Sequence, residues 1–247
     1  MRLRYLYWAI VVGALVMASI EAAKQRWESQ YVKAIAERIV REAGAEDNRS
    51  RVIALRDYLR KRVTFYDAAH DERSFLRATA AETLSSGKGY CGEVTRAFIR
   101  LAAAVDIRAQ RINLYGSDNH VVAEAELRPG ERVLVDGQNP PHVRDLDPLD
   151  QVILRPEYDD YSTLHLRRLR LNWLVSRIKL EIGPLTYWIE NPHALKSGLW
   201  LSLALALLIG KCLFISGKSL ARRLLARRGW VKVVDDSKLK IGHNQAG

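Results

Sequence analysis

The 247 residues, 48% hydrophobic, suffice for one domain with a real core, and the chain carries a net charge of +11 with a pI near 9.8. That excess sits at the ends: residues 5–210 hold 28 basic and 26 acidic residues, whereas Met1–Arg4 and Lys211–Gly247 carry the rest. A basic body for gripping phosphates is missing, which argues against nucleic acid as a partner.

Tyr5–Ile20 is an unbroken run of sixteen apolar or small residues, preceded by Arg2 and Arg4 and edged by Tyr5, Tyr7 and Trp8. A spanning helix needs about 20 mainly apolar residues, with a lower limit near 17. Ala22 and Ala23 bring the run to that length. A retained anchor over residues 1–23 is expected, not a cleaved leader, because Ile20 and Glu21 stand where cleavage needs small residues.

Tyr31, Ile35 and Ile39 recur at helical spacing over Gln30–Glu42, with Gly44 as a stop. Val52, Leu55, Leu59 and Val63 repeat likewise, with Asn48 or Ser50 as N-cap. A third, short helix over about Phe75–Leu84 leads into the Gly87–Gly89 loop. The helix opened by Cys91 carries Val94, Phe98, Leu101 and Val105 as one stripe, which needs a flat partner. Arg111–Tyr115 and His120–Leu127 alternate as strands around Gly116–Asn119, and a further strand runs from Arg132 to Asp136. Helix first, then antiparallel strands, is an α+β layout.

The last two strands raise a question of register. With an even-numbered turn, opposed residues sum to 259, Ala123 faces Asp136, and His120 lies on the other face of the sheet. A sum of 258 sets Asp136 opposite Val122 and diagonal to His120. A three-residue connection or a β-bulge at the Arg128–Glu131 turn is therefore expected if those residues act together.

Asn139-Pro140-Pro141 begins a loop lasting to about Tyr161. Thr163–Ile182 reads equally well as a basic amphipathic helix on the membrane or as an ordinary packed helix. Ser197–Ile215 is a second apolar run, broken only by Lys211, whose stem can snorkel, and a basic tail follows it. Positive charge at both ends places both termini in the cytoplasm and the residues between the spans outside it. The expected organisation is an anchor (1–23), an extracytoplasmic domain (24–160), a basic juxtamembrane segment (161–196), a second span (197–216) and a basic cytoplasmic tail (217–247).

Cys91 and Cys212 are the chain's two cysteines, and Cys212 falls in the second span, so they cannot pair. An unpaired external thiol is better explained by reactivity than by stapling. A thiol at the mouth of a helix, His120 and Asp136 are the parts of a cysteine nucleophile machine: imidazole deprotonates thiol, carboxylate fixes imidazole. The helix dipole lowers the thiol pKa. Singly, each has a plain alternative: a buried hydrophobe, a satisfied strand histidine, an aspartate in a turn. Their order, with the glycine loop, favours the triad. His70, His142, His165, His193 and His243 have no such company. Glu124 and Glu126 flank His120 without a second His or Cys at ligand spacing, so no zinc site is expected.

Thr83–Glu93 (TLSSGKGYCGE), Val105–Arg111, Asn119-His120-Val121 and Val133–Asp136 together resemble the transglutaminase-like superfamily of papain-like cysteine enzymes over roughly residues 50–140. The gaps are 29 residues from Cys91 to His120 and 16 from His120 to Asp136. Two positions depart from the family's habit: Val121 replaces an aromatic residue and Gly137 a proline. The resemblance implies a Cys91-His120-Asp136 triad, a thiol-bearing helix on an antiparallel sheet, and no metal or organic cofactor. The resulting expectation is a bacterial, membrane-anchored enzyme of thioester-mediated acyl transfer on a protein or peptide-like envelope substrate. Its partners would be the lipid bilayer and other membrane-complex components. The competing expectation is a catalytically silent subunit that docks within an envelope complex.

Overall fold

The computed structural model describes residues 2–65, 78–115, 120–144, 146–153, 160–162 and 183–227. It divides into two units, residues 1–16 with 200–247, and residues 17–199. Two helices contribute to both: α1 (Arg2–Glu42) and α7 (Pro192–Arg227), each long and apolar enough to cross a membrane. Between Ile20 and Gln30 no Gly or Pro interrupts the chain, so the apolar run and the helix after it are one continuous helix. The second rod likewise starts earlier than its apolar run, with Pro192 at its first position, where a missing N–H costs nothing.

In the first unit the Tyr7 hydroxyl donates to the Leu207 carbonyl at 2.8 Å. Lys211 Nζ lies over the rings of Trp8 and Tyr7, at 4.0 and 4.8 Å from their centroids. The cation of the second apolar run thus meets aromatic faces. Leu201, Leu205, Leu213 and Phe214 are exposed, as apolar side chains facing lipid would be.

The second unit is α+β. In chain order it holds the rest of α1, then α2 (Asn48–Arg62), β1 (Thr64–Phe65), α3 (Ala80–Ser86), β2 (Lys88–Gly89) and α4 (Cys91–Ala104). The strands β3 (Ala109–Tyr115), β4 (His120–Arg128) and β5 (Glu131–Val135) follow, then α5 (Leu149–Ile153), β6 (Asp160–Ser162), α6 (Gly183–Glu190) and the start of α7. The main sheet is antiparallel in the order β5-β4-β3-β6, and β1 and β2 form a separate parallel pair.

Val94, Phe98 and Leu101 of α4 are buried against Ala123, Ala125 and Leu127 of β4, and α1 and α2 close this core with Val32, Ile35, Ile39, Val52, Leu55 and Leu59. The opposite sheet face carries Ile112, Leu114, Val122 and Leu134, covered by Val143 and Val152. Period-two alternation puts Ala123 and Val122 into different cores.

Three local details differ from the sequence expectation. The cap of α2 is Asp47, whose Oδ1 accepts from Ser50 N at 2.8 Å. The long loop after Asn139 contains α5 and ends in β6, which pairs Ser162 with Asn113 and Tyr161 with Leu114 on the edge of β3. A three-residue strand is too short to show alternation, and α5 shows a single apolar i, i+3 pair, Leu149 and Val152. The α6 helix was not anticipated. Thr163–Ile182, read as basic amphipathic, lies outside the described residues.

Between β4 and β5 the pairs Ala123–Val135, Glu124–Leu134, Ala125–Val133 and Glu126–Arg132 each sum to 258, whereas Arg128–Glu131 sums to 259. The shift is a bulge at Leu127, just before the two-residue Pro129-Gly130 turn. Proline fixes a negative φ at Pro129, so the mirror-type turns that suit hairpin twist are denied, and Gly130 takes φ +84°. The Leu127 carbonyl, displaced from the ladder, accepts from Asn48 Nδ2 at 3.0 Å.

Candidate active site

Each reactive side chain stands at the end of an element. Thr79 caps α3 reciprocally with Glu82, and Gly87 ends that helix at φ +66°, in the left-handed region. The Gly87 carbonyl then accepts from Thr64 N at 2.9 Å, which fixes the glycine loop to β1. Tyr90, in extended conformation, precedes α4, and its carbonyl receives the N–H groups of Glu93 and Val94. The Tyr90 side chain itself makes no capping hydrogen bond. Cys91 is therefore the first helical residue, partly buried, with a free thiol.

His120 opens β4. Thr95 Oγ1 of α4 donates to the neighbouring Val121 carbonyl at 2.9 Å and so ties the thiol helix to the histidine strand. Asp136 directly follows β5. His120 Nε2 lies 2.9 Å from Asp136 Oδ2, and both residues are buried. The imidazole and the Cys91 thiol are near enough to act on each other's ionisation. Because Nε2 is committed to the carboxylate, Nδ1 is the nitrogen left for sulfur.

The charges follow from these contacts. Burial pushes the Cys91 thiol up, but the hydrogen bond and charge of His120, with backbone bonds from Val121 and Gly92, bring it below its ordinary value. Burial alone would lower His120, yet Asp136 and Cys91 raise it to about 9. Burial likewise opposes ionisation of Asp136, and His120 with the N–H groups of Gln138 and His142 lowers its pKa below the usual carboxylate value. The arrangement favours a thiolate–imidazolium pair held by a carboxylate.

Several residues that complete this geometry carry no recognisable signal in the sequence. Asp136 Oδ2 also accepts from His142 N at 2.7 Å and Val143 N at 3.2 Å, and Oδ1 from Gln138 N at 3.0 Å. Arg60 of α2 binds the Asp136 carbonyl through Nε at 3.0 Å and a terminal nitrogen at 2.8 Å. The His142 ring lies against the His120 ring, tilted by 34° with centroids 4.7 Å apart. His142 therefore does have company, in the loop after Asn139-Pro140-Pro141. Gly137 fills a place without room for a side chain: a Cβ there would lie 2.9 Å from Val94 Cγ1.

Behind the thiol, a terminal nitrogen of Arg111 donates to the Gly92 carbonyl at 2.9 Å and to Glu190 Oε2 at 2.7 Å. Glu190, buried at the end of α6, also faces Arg96 Nε at 3.4 Å. Nearly a hundred residues separate Glu190 from Cys91, so no local motif links them. Glu124 accepts from Gln110 at 2.6 Å and lies 3.8 Å from Arg132, so its charge is engaged within the sheet. His193 pairs with Glu21 at 2.7 Å, while His70, His165 and His243 lie outside the described residues.

Residues 33–137 match the family described as the transglutaminase-like superfamily. Among solved structures, the chain is similar to a candidate cysteine protease from Cytophaga hutchinsonii at 20% identity and a TM-score of 0.39, over 55% of this chain and 43% of that one. It is also similar to a candidate protease from Parabacteroides distasonis at 14% identity and a TM-score of 0.36, over 50% of this chain and 26% of that one. The chain thus spans less than half the length of either. No curated protein matches it.

Proposed function

With residues 33–137 a transglutaminase-like domain, we propose that the protein is a membrane-anchored cysteine enzyme performing thioester-mediated acyl transfer on a protein or peptide-like envelope substrate. One observation carries the reading: the buried contact of His120 Nε2 with Asp136 Oδ2 at 2.9 Å, beside a Cys91 thiol whose pKa the same imidazole lowers. The two apolar helices supply the anchor, and the basic residues at both ends favour cytoplasmic termini with the catalytic unit outside.

The chemistry balances on these residues alone. The Cys91 thiolate attacks an amide carbonyl carbon, and a C–S bond forms. The Cys91 N–H is among the four donors to which α4 itself gives no partner, and it is suited to the developing oxyanion. The C–N bond breaks as His120 Nδ1 gives its proton to the departing amine. Water or a second amine then attacks the thioester and returns a proton to Nδ1, and the C–S bond breaks. Water completes amide hydrolysis; an amine completes amide exchange. Asp136 keeps the ring oriented and stabilises the imidazolium throughout.

The test is acylation of the full chain by p-nitrophenyl acetate at pH 6.5, followed by intact mass. One acetyl group on Cys91 is expected, absent in Cys91→Ser and strongly slowed in His120→Ala. Loss of that adduct in buffer or on addition of a primary amine separates hydrolysis from exchange. Equal acylation of wild type and His120→Ala would sink the reading.

A further inference from the structure

The acidic and polar residues of α1 record, turn by turn, what stands at each height above the apolar run. Ala18 O accepts from Ser197 Oγ at 2.9 Å, and Glu21 Oε2 meets His193 Nδ1 at 2.7 Å. The two apolar runs, one ending at Ile20 and the other starting at Ser197, therefore stop at one level. One turn higher, Gln25 Nε2 donates to Asn191 Oδ1 at 2.8 Å, and Gln25 Oε1 accepts from Ala194 N at 3.1 Å. Glu190, next to Asn191, is the carboxylate that holds Arg111 against the Gly92 carbonyl. Ser29, one turn higher again, accepts from an Arg100 terminal nitrogen at 2.9 Å.

The far end of the sheet is tied to the far end of the rod. Leu127 O accepts from Asn48, beyond the end of α1 at Glu42. Gln25 to Glu42 covers roughly 26 Å of helix, and His120 to Leu127 covers roughly 23 Å of strand. His120 stands at the opposite end of β4 from Leu127, and Arg111 links Gly92, beside Cys91, to Glu190, two residues before α7. The thiol helix agrees: Arg108, just after α4, lies beside Glu126 through the bond from Glu126 N to Arg108 O at 2.9 Å. Cys91 is therefore at the other end of α4, nine residues or roughly 13 Å below Arg100. Ser29, which Arg100 reaches, is itself only roughly 12 Å above Glu21.

We infer that the Cys91 thiol lies at the end of the unit where the apolar runs stop, and that its acyl donor is a membrane-tethered polypeptide whose reacting amide lies within about 15 Å of the bilayer face. The inference rests on the proposed membrane anchoring and gives it a substrate class. A stalk leaving the bilayer reaches that height in about four or five extended residues. The thiol would then select bonds close to an anchor and spare those far from one. Tethering would also raise the local concentration of such stalks around the thiol.

The test uses the full chain carrying Cys212→Ala in phosphatidylcholine vesicles, together with a synthetic transmembrane peptide that presents a maleimide on a stalk of about four or about thirty residues. The comparison thiol is Glu46→Cys in a Cys91→Ser, Cys212→Ala background, at the exposed connection beyond α1. Rates are normalised to the same maleimide on a soluble peptide. The short stalk should react with Cys91 at least tenfold faster than with the thiol at position 46, and the long stalk should reach both. Equal short-stalk rates, or reaction of Cys91 with the long stalk only, would overturn the inference while leaving anchoring intact. A chain that fails to float with the vesicles would overturn the anchoring itself.

Discussion

Asp136 meets His120 on one face of the sheet because Leu127, close to neither of them in the chain, is bulged out of β4. From Arg128–Glu131 to Glu126–Arg132 the sum of paired residues falls from 259 to 258. Continuing that register by one residue sets Asp136 across from Val122, diagonal to His120, and the measured contact is 2.9 Å. An unbulged ladder on the same Pro129-Gly130 turn would set Asp136 across from Ala123, on the face that packs against α4. Asn48 stabilises the bulge by taking its displaced carbonyl. Removing that donor leaves the carbonyl poorly paired, so Asn48→Ala should cost about 1 kcal/mol in urea unfolding. It should also weaken activity more than a surface change of equal cost, and unaltered stability would refute this role.

Substitutions in the triad should separate by role. Cys91→Ser and His120→Ala should each reduce acyl transfer by roughly 10³-fold or more. Asp136→Asn should be damaging in two ways. It weakens orientation of His120, and it places an NH2 group among the N–H donors of Gln138, His142 and Val143. A loss of about 1–3 kcal/mol in stability should therefore accompany the loss of activity. Full thermal stability in Asp136→Asn would show that those backbone contacts contribute little.

The pH dependence has a definite sign. Cys91 is lowered, so thiolate forms below the ordinary thiol value, and alkylation by iodoacetamide should be fast well under pH 8. His120→Ala removes the lowering partner and leaves burial, so its alkylation curve should move to higher pH. Turnover needs the imidazolium as well. It should rise as the thiolate forms and fall as His120 loses its proton near about 9. The same raised value stabilises the fold fully below the unfolded histidine pKa, and that contribution is lost as pH rises through about 9. Turnover still climbing above pH 10 would contradict the assigned ion pair.

Gly137 has steric work to do. Gly137→Ala puts a methyl group 2.9 Å from Val94 Cγ1 and should destabilise by about 1–3 kcal/mol. Adding Val94→Ala opens that space, so the double variant should lose less than the two single losses together. Simple additivity in thermal unfolding would place the strain elsewhere.

Glu190 should be among the most sensitive positions outside residues 33–137. Glu190→Gln strands the Arg111 and Arg96 guanidinium groups in a buried place, which should cost about 3–5 kcal/mol. Arg111→Met, which also frees the Gly92 carbonyl, should slow Cys91 alkylation while Cys212 reacts as before. A Glu190→Gln variant as stable as wild type would show that the pair is solvated.

Orientation is checked directly in cells. A membrane-impermeant maleimide applied from outside, with any outer membrane permeabilised, should label Cys91 and spare Cys212. Labelling of Cys212 alone would reverse the topology.

What the sequence by itself determined is what period and order encode. An apolar or small run of sixteen residues and one of nineteen broken by Lys211, both with basic flanks, define the two long helices. The Val94–Phe98–Leu101 stripe and the alternation of His120–Leu127 define a helix on a sheet, because 3.6 and 2.0 are properties of local backbone geometry. Cys, His and Asp in family order named the candidate triad, and the parity of the Arg128–Glu131 hairpin called for either a three-residue connection or a bulge. What only the tertiary structure decided is which distant groups meet. Glu190 reaches the Cys91 helix through Arg111, Arg60 pins the Asp136 carbonyl, and the His142 ring lies against His120. Such contacts join residues 19 to 79 positions apart and leave no period to read. An arginine bound to a buried carbonyl is spelled like one facing water, and the two differ in what folding brings beside them.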